Sequence, residues 1–80
     1  MNLIGIAITP SLNLTTERRI QEIAATTSGV TMGPINGSNM RTRFQVAVED
    51  GGAGFDFLTE VKEVIEHHTL ELIPALDVHR

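Results

Sequence analysis

The sequence predicts an α+β domain in which an antiparallel sheet of four strands carries two helices on one of its faces. Four segments alternate between apolar and other residues with the period of a β-strand, and two segments have apolar residues at helical spacing. In chain order these segments give βαββαβ. Pro34 and Pro74 fall in the second and fourth strands, which that order places at the edges of the sheet. The 80 residues fit a single domain spanning 1–80.

The composition restricts the class of protein. The chain contains no cysteine, which excludes disulfides, thiolate zinc sites and thiol catalysis. Its formal net charge is -4 and Lys62 is its single lysine, so we expect no nucleic-acid partner. The apolar run at 3–8 is too short to span a membrane, and no basic residue precedes it. We therefore expect a cytoplasmic protein with no membrane partner.

The N-terminal third predicts the first strand and the first helix. Residues 3–9 alternate and place three isoleucines on one face, as a half-buried strand does. A helix from about Thr16 to Ser28 follows. Thr15 or Thr16 is the expected N-cap, and Gly29 lies just beyond the expected C-terminus.

The middle of the chain predicts a hairpin. Its first strand, Val30 to Ile35, contains Pro34, which lacks a backbone donor and so marks an edge strand. The Asn36-Gly37 pair predicts the turn. The second strand of the hairpin spans 40–49 and alternates most clearly in the chain. Its face toward the helices is expected to hold Met40, Thr42, Phe44, Val46 and Val48.

The C-terminal third predicts a helix and a last strand. The glycine-rich segment 50–54 is expected to form a loop, followed by a helix from about Phe55 to His68. The last strand, expected at 71–79, contains Pro74 and so forms the second edge.

These elements assemble in one way. Right-handed crossovers place the strands in the order 4-1-3-2 with all neighbours antiparallel, which is the ferredoxin-like arrangement. The element order resembles that of ACT-type regulatory domains and of small chaperone-like adaptors. That resemblance implies the fold and no particular activity, because the fold serves many activities. The residues expected beneath the helices are Ile4, Ile6, Ile8, Phe44, Val46, Val48, Leu72, Leu76 and Val78.

The sheet face away from the helices is the candidate binding face. Its centre is small and weakly polar, whereas a solvated sheet face usually carries long polar side chains. This composition favours a surface on which something packs, although a small domain can also leave such residues exposed. The expected partner or ligand face consists of Gly5, Ala7, Arg41, Arg43, Gln45, Ala47, Ile73 and Ala75.

Other candidate sites are weaker. The glycines of 51–54 could let an anion approach the start of the second helix, but no lysine or arginine follows nearby, and Glu49 and Asp50 would repel an anion. His67 and His68 lie too far along the chain from His79 for one subunit to join all three at a metal ion. We find no catalytic constellation and expect no metal and no cofactor.

Two functions of different class remain. The first is a small non-enzymatic protein-binding or regulatory module that uses its open sheet face or an edge strand to bind a partner protein or a second copy. The second is a sensor or enzyme for a small anionic metabolite, formed by a face-to-face dimer. Its ligand would lie between the two sheets, held by Arg41, Arg43 and Gln45, with Asp77 and His79 at the rim. The lack of an acid–base pair favours the first.

Overall fold

The structure, a computed structural model, describes residues 2–79 apart from the side chains of Asp77 and His79. The strands and helices follow one another in the predicted order, with one additional short strand and a C-terminal 3₁₀ helix. In chain order the elements are β1 (Asn2–Thr9), α1 (Leu14–Thr26), β2 (Val30–Met32), β3 (Asn36–Gly37), β4 (Thr42–Val48), α2 (Gly51–Val64), β5 (Thr69–Ile73) and the 3₁₀ helix (Ala75–His79).

One antiparallel sheet contains all the strands. Its order is β2-β4-β1-β5, and β3 also pairs with β4. The predicted ferredoxin-like order is confirmed, because β2, β4, β1 and β5 stand where the second, third, first and fourth predicted strands belong. The sheet has five strands rather than four because the predicted second strand is divided into β2 and β3.

A bulge at Pro34 and Ile35 causes that division. The Gly33 amide donates to the Gln45 carbonyl at 2.8 Å, while Asn36 is the partner of Arg43. Two residues, Pro34 and Ile35, therefore stand opposite a single residue of β4. The extra residue changes which side chains face the helices. Regular alternation from Val30 would put Ile35 on the outer face of the sheet, but Ile35 packs against the buried core.

The predicted hairpin turn lies three residues too early in the chain. Asn36 and Gly37 are paired with β4 as strand β3, and the turn lies at 38–41. The Ser38 amide donates to the Arg41 carbonyl at 3.1 Å, and the Ser38 hydroxyl donates to the same oxygen at 3.0 Å. A serine side chain thus closes this turn, a role for which asparagine and glycine were expected. Met40, expected in the strand, is exposed in the turn.

The core lies between the sheet and the two helices. Every second residue of β4 is buried, from Thr42 to Val48, and the residues between them are half-buried, as the alternation predicted. The Phe44 and Phe57 rings meet edge to face with centroids 6.5 Å apart, an arrangement aromatic pairs favour. The remaining members of the core cluster are Ile6, Ile8, Leu12, Ile20, Ile23, Ala24, Val46, Val61 and Ile65.

Both helices begin earlier than predicted because each has an N-cap that the sequence reasoning did not use. Asn13 caps α1: its Oδ1 accepts from the Thr16 amide at 2.8 Å, so neither Thr15 nor Thr16 is the cap. Asp50 caps α2: its Oδ1 accepts from the Ala53 amide at 2.8 Å. An asparagine or aspartate in this position satisfies an amide that would otherwise lack a partner. The glycine-rich segment is therefore the first turn of α2.

The helices also end earlier than predicted. Helix α1 ends at Thr26, and the next residue, Thr27, donates its hydroxyl to the Ile23 carbonyl at 2.7 Å. Helix α2 ends at Val64, four residues before the expected end. His67, expected in the last turn of α2, has a φ of 65°, which an α-helix cannot contain.

The C-terminal prediction is wrong in its second half. Strand β5 ends at Ile73, and a 3₁₀ helix replaces the expected strand beyond Pro74. Leu72 lies opposite the buried Ile6 but is exposed at the sheet edge, and Leu76 is exposed as well. Both were expected to be buried beneath the helices.

Candidate functional site

The sheet face away from the helices brings together the β1 and β4 residues that the sequence placed there. The register sets Gly5 opposite Gln45, Ala7 opposite Arg43, and Leu3 opposite Ala47. Paired residues of an antiparallel sheet share a face, so these side chains lie together. Arg43, Gln45 and Ala47 are half-buried.

Of the other three predicted members of this face, one lies at the end of a strand and two lie outside the strands. Ile73 is paired with Gly5 at the end of β5 and belongs to the face. Arg41 precedes β4 and lies in the turn at 38–41, so it is not a strand neighbour of Arg43. Ala75 begins the 3₁₀ helix.

This face is partly covered by the C-terminal strap, which we define as residues 74–79. The strap contacts β1 and β4. The Asn36 side-chain amide donates to the Val78 carbonyl at 3.2 Å. Val78 is fully buried yet is not part of the core cluster beneath the helices, and Ala7 is 1% exposed. The chain therefore turns at Pro74 onto the outer face and crosses it toward β3.

The strap explains why the centre of the face is small. A Cβ atom on Gly5 would lie 2.5 Å from the Ile73 carbonyl oxygen and 2.8 Å from the Pro74 carbonyl oxygen. Only glycine permits so close an approach by another stretch of backbone. Gly5 and Ala7 thus admit the chain's own C-terminal segment.

The strap blocks the face-to-face dimer that the sequence offered as an alternative. Two sheets cannot meet over Gly5 and Ala7 while the strap lies there. The basic pair expected to hold an anion is divided between a turn and a strand. The side chains of Asp77 and His79, expected at the rim of that site, lie outside the described part of the structure.

The two edges of the sheet differ in regularity. Strand β2 has three residues and is followed by the bulge at Pro34, a feature that protects an edge from pairing. Strand β5 has five residues in regular register with β1 and no proline or bulge within it. No other strand in residues 2–79 pairs with the outer side of β5. Leu72 on this edge is 58% exposed.

The start of α2 does not resemble an anion site. Its N-terminal amides include that of Ala53, which already donates to the Asp50 carboxylate. A negatively charged cap occupies the position where an anion would be stabilised by the helix dipole. Glu49, directly before it, adds a second negative charge.

Of the three histidines, the structure describes the side chains of His67 and His68. His68 lies close to the end of α2, and its Nδ1 donates to the Glu66 carbonyl at 2.8 Å. This direction follows because a carbonyl oxygen only accepts. Among the side chains that the structure describes, no three histidines or carboxylates are grouped so that they could hold a metal ion. No helix within residues 2–79 is long and apolar enough to cross a membrane.

A cleft on the helix side contains no residue of the predicted face. It has a volume of about 400 Å³ and is bordered by Arg18, Arg19 and Glu22 together with threonines of α1. The Arg19 guanidinium lies 3.7 Å from the Glu22 carboxylate on the exposed surface. The cleft therefore presents charges of both signs to solvent, and we assign no ligand to it.

Comparison with known proteins supports the fold. No protein-family model matches the chain, and no curated protein matches it. The chain is similar to the crystal structure of the ACT domain from the GTP pyrophosphokinase of Chlorobium tepidum, with a TM-score of 0.63 and 14% sequence identity. The alignment covers 89% of this chain and 96% of that domain. At this identity the likeness establishes the ferredoxin-like α+β fold.

Proposed function

We propose that this chain is a small non-enzymatic regulatory module that binds a second copy of itself through the edge of β5. The observation that supports the proposal most strongly is the exposed, regular edge at Thr69–Ile73. An edge strand presents unpaired backbone donors and acceptors, and a second strand can satisfy them by extending the sheet. The opposite edge is short and interrupted by a bulge.

A second copy suits this edge because the strand can pair with itself about a two-fold axis. With Leu72 on the axis, each Leu72 lies opposite its counterpart, and Glu71 lies opposite Ile73 of the partner copy. This register buries the exposed leucines against each other. It also keeps the two Glu71 carboxylates from standing directly opposite, which would be destabilising.

The regulatory part of the proposal is supported by the resemblance to ACT-type regulatory domains. The similar solved domain belongs to a GTP pyrophosphokinase. We carry over from it the role of a module that accompanies an enzymatic activity. The chain's own residues offer a binding edge and a covered sheet face.

A matched pair of leucine substitutions tests the proposal. Leu72→Lys places a charge on the proposed dimer axis, whereas Leu14→Lys removes an equally exposed leucine, 61% against 58%, at the start of α1. Light scattering after size-exclusion chromatography gives the mass at chain concentrations of about 10 to 500 μM, a range suited to a small interface. We expect the wild type and Leu14→Lys to form dimers and Leu72→Lys to remain a monomer.

Two outcomes contradict the proposal. A wild type that stays monomeric over this range has no self-pairing edge. A dimer that Leu72→Lys and Leu14→Lys leave equally intact uses another surface. Far-UV circular dichroism of both variants establishes that each is folded.

A further inference from the structure

The surface beneath the C-terminal strap has the shape of a peptide-binding slot. Its floor is Gly5, where the Ile73 and Pro74 carbonyl oxygens would lie 2.5 and 2.8 Å from a Cβ atom. Ile73 is the β5 partner of Gly5, whereas Pro74 begins the strap, so the surface admits the strap backbone at close range. Ala7 lies one strand position further along the same face, and its small side chain is buried.

The slot also recognises particular groups of the peptide. The Asn36 amide donates to a backbone carbonyl, that of Val78, at 3.2 Å. The Val78 side chain is fully buried on this face, so the slot encloses a small aliphatic side chain. Leu76, two residues earlier in the strap, is 79% exposed and contributes little to the fit. The recognised features are thus a proline-containing backbone, one carbonyl group and one valine.

We propose that this slot is a peptide-binding site which the chain's own strap occupies and which accepts the same strap from a second copy. The structure shows this sequence fitting the slot, and every copy of the chain carries it. Because the chain's own strap competes with a strap from a second copy, the apparent affinity for the second strap is the intrinsic affinity multiplied by the fraction of molecules whose slot is open. The strap is therefore an autoinhibitory segment as well as a ligand.

This inference does not depend on pairing through β5. The slot lies on the sheet face over β1, whereas the proposed dimer axis lies at Leu72 on the sheet edge. Either proposal can fail while the other holds, provided that each is tested with its own variants.

One substitution opens the slot and a second fills it, so their effects can be compared. Val78→Asp in the full chain places a charge where the structure buries valine, and this releases the strap while leaving the slot intact. Gly5→Ala adds a Cβ atom 2.8 Å from the Pro74 carbonyl oxygen at the start of the strap and 2.5 Å from the Ile73 carbonyl oxygen at the end of β5, so it fills the slot and displaces the start of the strap. Val78→Ser is a milder strap-releasing variant that serves if Val78→Asp does not fold.

The probe is a synthetic peptide with the sequence of residues 74–79, titrated to millimolar concentration against ¹⁵N-labelled full-length chain. We expect shifts of the Gly5 and Ala7 amides and of the Asn36 side-chain amide in the strap-released variant. The wild type should need at least about ten times more peptide for the same shift, because its own strap competes. Gly5→Ala and a peptide with Val78 replaced by aspartate should give no saturable shift.

The proposal is overturned if a folded strap-released variant shows no saturable shift with the wild-type peptide. It is equally overturned if Gly5→Ala binds the peptide as well as that variant does. A dimer formed by strap exchange would survive Leu72→Lys, whereas a dimer paired through β5 would not, so the mass of that variant distinguishes the two proposals.

Discussion

At the scale of single residues, Thr42 is the polar group on which the core most depends. It is fully buried among the apolar side chains of β4. Its hydroxyl accepts a hydrogen bond from the Leu12 amide at 2.9 Å. Leu12 belongs to the core cluster, so this bond fixes the segment between β1 and α1 against the sheet. A buried amide without such an acceptor is costly.

Replacing Thr42 with valine should therefore destabilise the protein although the shape is almost unchanged. We expect Thr42→Val to lower the free energy of unfolding by about 1–3 kcal/mol, because the Leu12 amide is left buried without an acceptor. Thr42→Ser keeps the acceptor and should lose only about 0.8 kcal/mol for the missing methyl group. Urea denaturation measures both, and a valine variant as stable as the wild type would show that the hydrogen bond contributes nothing.

The face of the sheet on which a side chain lies could be predicted where the strand is regular. The alternation of 42–48 placed Phe44 and Val46 beneath the helices and Ala47 on the opposite face, and the structure confirms this. The same reasoning failed at Ile35, because one extra residue in a bulge reverses the facing of everything beyond it. A bulge is defined by pairing with a neighbouring strand, so alternation along one strand does not reveal it.

At the scale of elements, α2 begins in an unusual sequence. Three of its first four residues are glycines, which are poor helix formers, yet the helix starts at Gly51. The Asp50 cap compensates for part of this cost. Gly54 is buried, and a Cβ atom there would meet Val48 at 3.7 Å and Ile4 at 3.8 Å, which are ordinary van der Waals distances, so alanine would also fit at this position.

Removing the cap should weaken α2 specifically. We expect Asp50→Ala to cost about 0.5–2 kcal/mol of stability, since the Ala53 amide loses its acceptor. Asp50→Asn retains the acceptor and should cost less. Asp56→Ala, an exposed carboxylate further along the helix, is the matched control for loss of charge. Thermal unfolding followed by circular dichroism ranks the four proteins, and equal melting temperatures for Asp50→Ala and Asp56→Ala would refute the role of the cap.

The C-terminal strap shows why one element was mispredicted. A strand permits the spacings between Leu72, Leu76 and Val78, so the sequence predicted one continuous strand through Pro74. The structure ends β5 at Ile73 and turns the chain onto the outer face. Two signals were present: a proline that cannot donate within a ladder, and a glycine at position 5 of a central strand. They become informative together only once Gly5 and Ile73 are known to be partners.

At the scale of the whole molecule, the sheet has one covered face toward the helices, one face partly covered by the strap, and one regular exposed edge. The covered outer face disfavours the stacking of two sheets, and the edge of β5 favours extension of one sheet. This is why we place association with a second copy at the edge. The element order and the sheet order could be predicted from the sequence, because periodicity and proline position determine them. The strap could not, because it depends on long-range packing.

The most direct measurement is an isotope-filtered NOE experiment on a dimer formed from equal amounts of ¹³C-labelled and unlabelled chain. Intermolecular NOEs report only contacts between copies. We expect cross-strand NOEs confined to β5, with Leu72 close to Leu72 of the other copy and Glu71 close to its Ile73. Intermolecular NOEs that join the helices of the two copies, or that join Ala47 to the partner while β5 shows none, would contradict it.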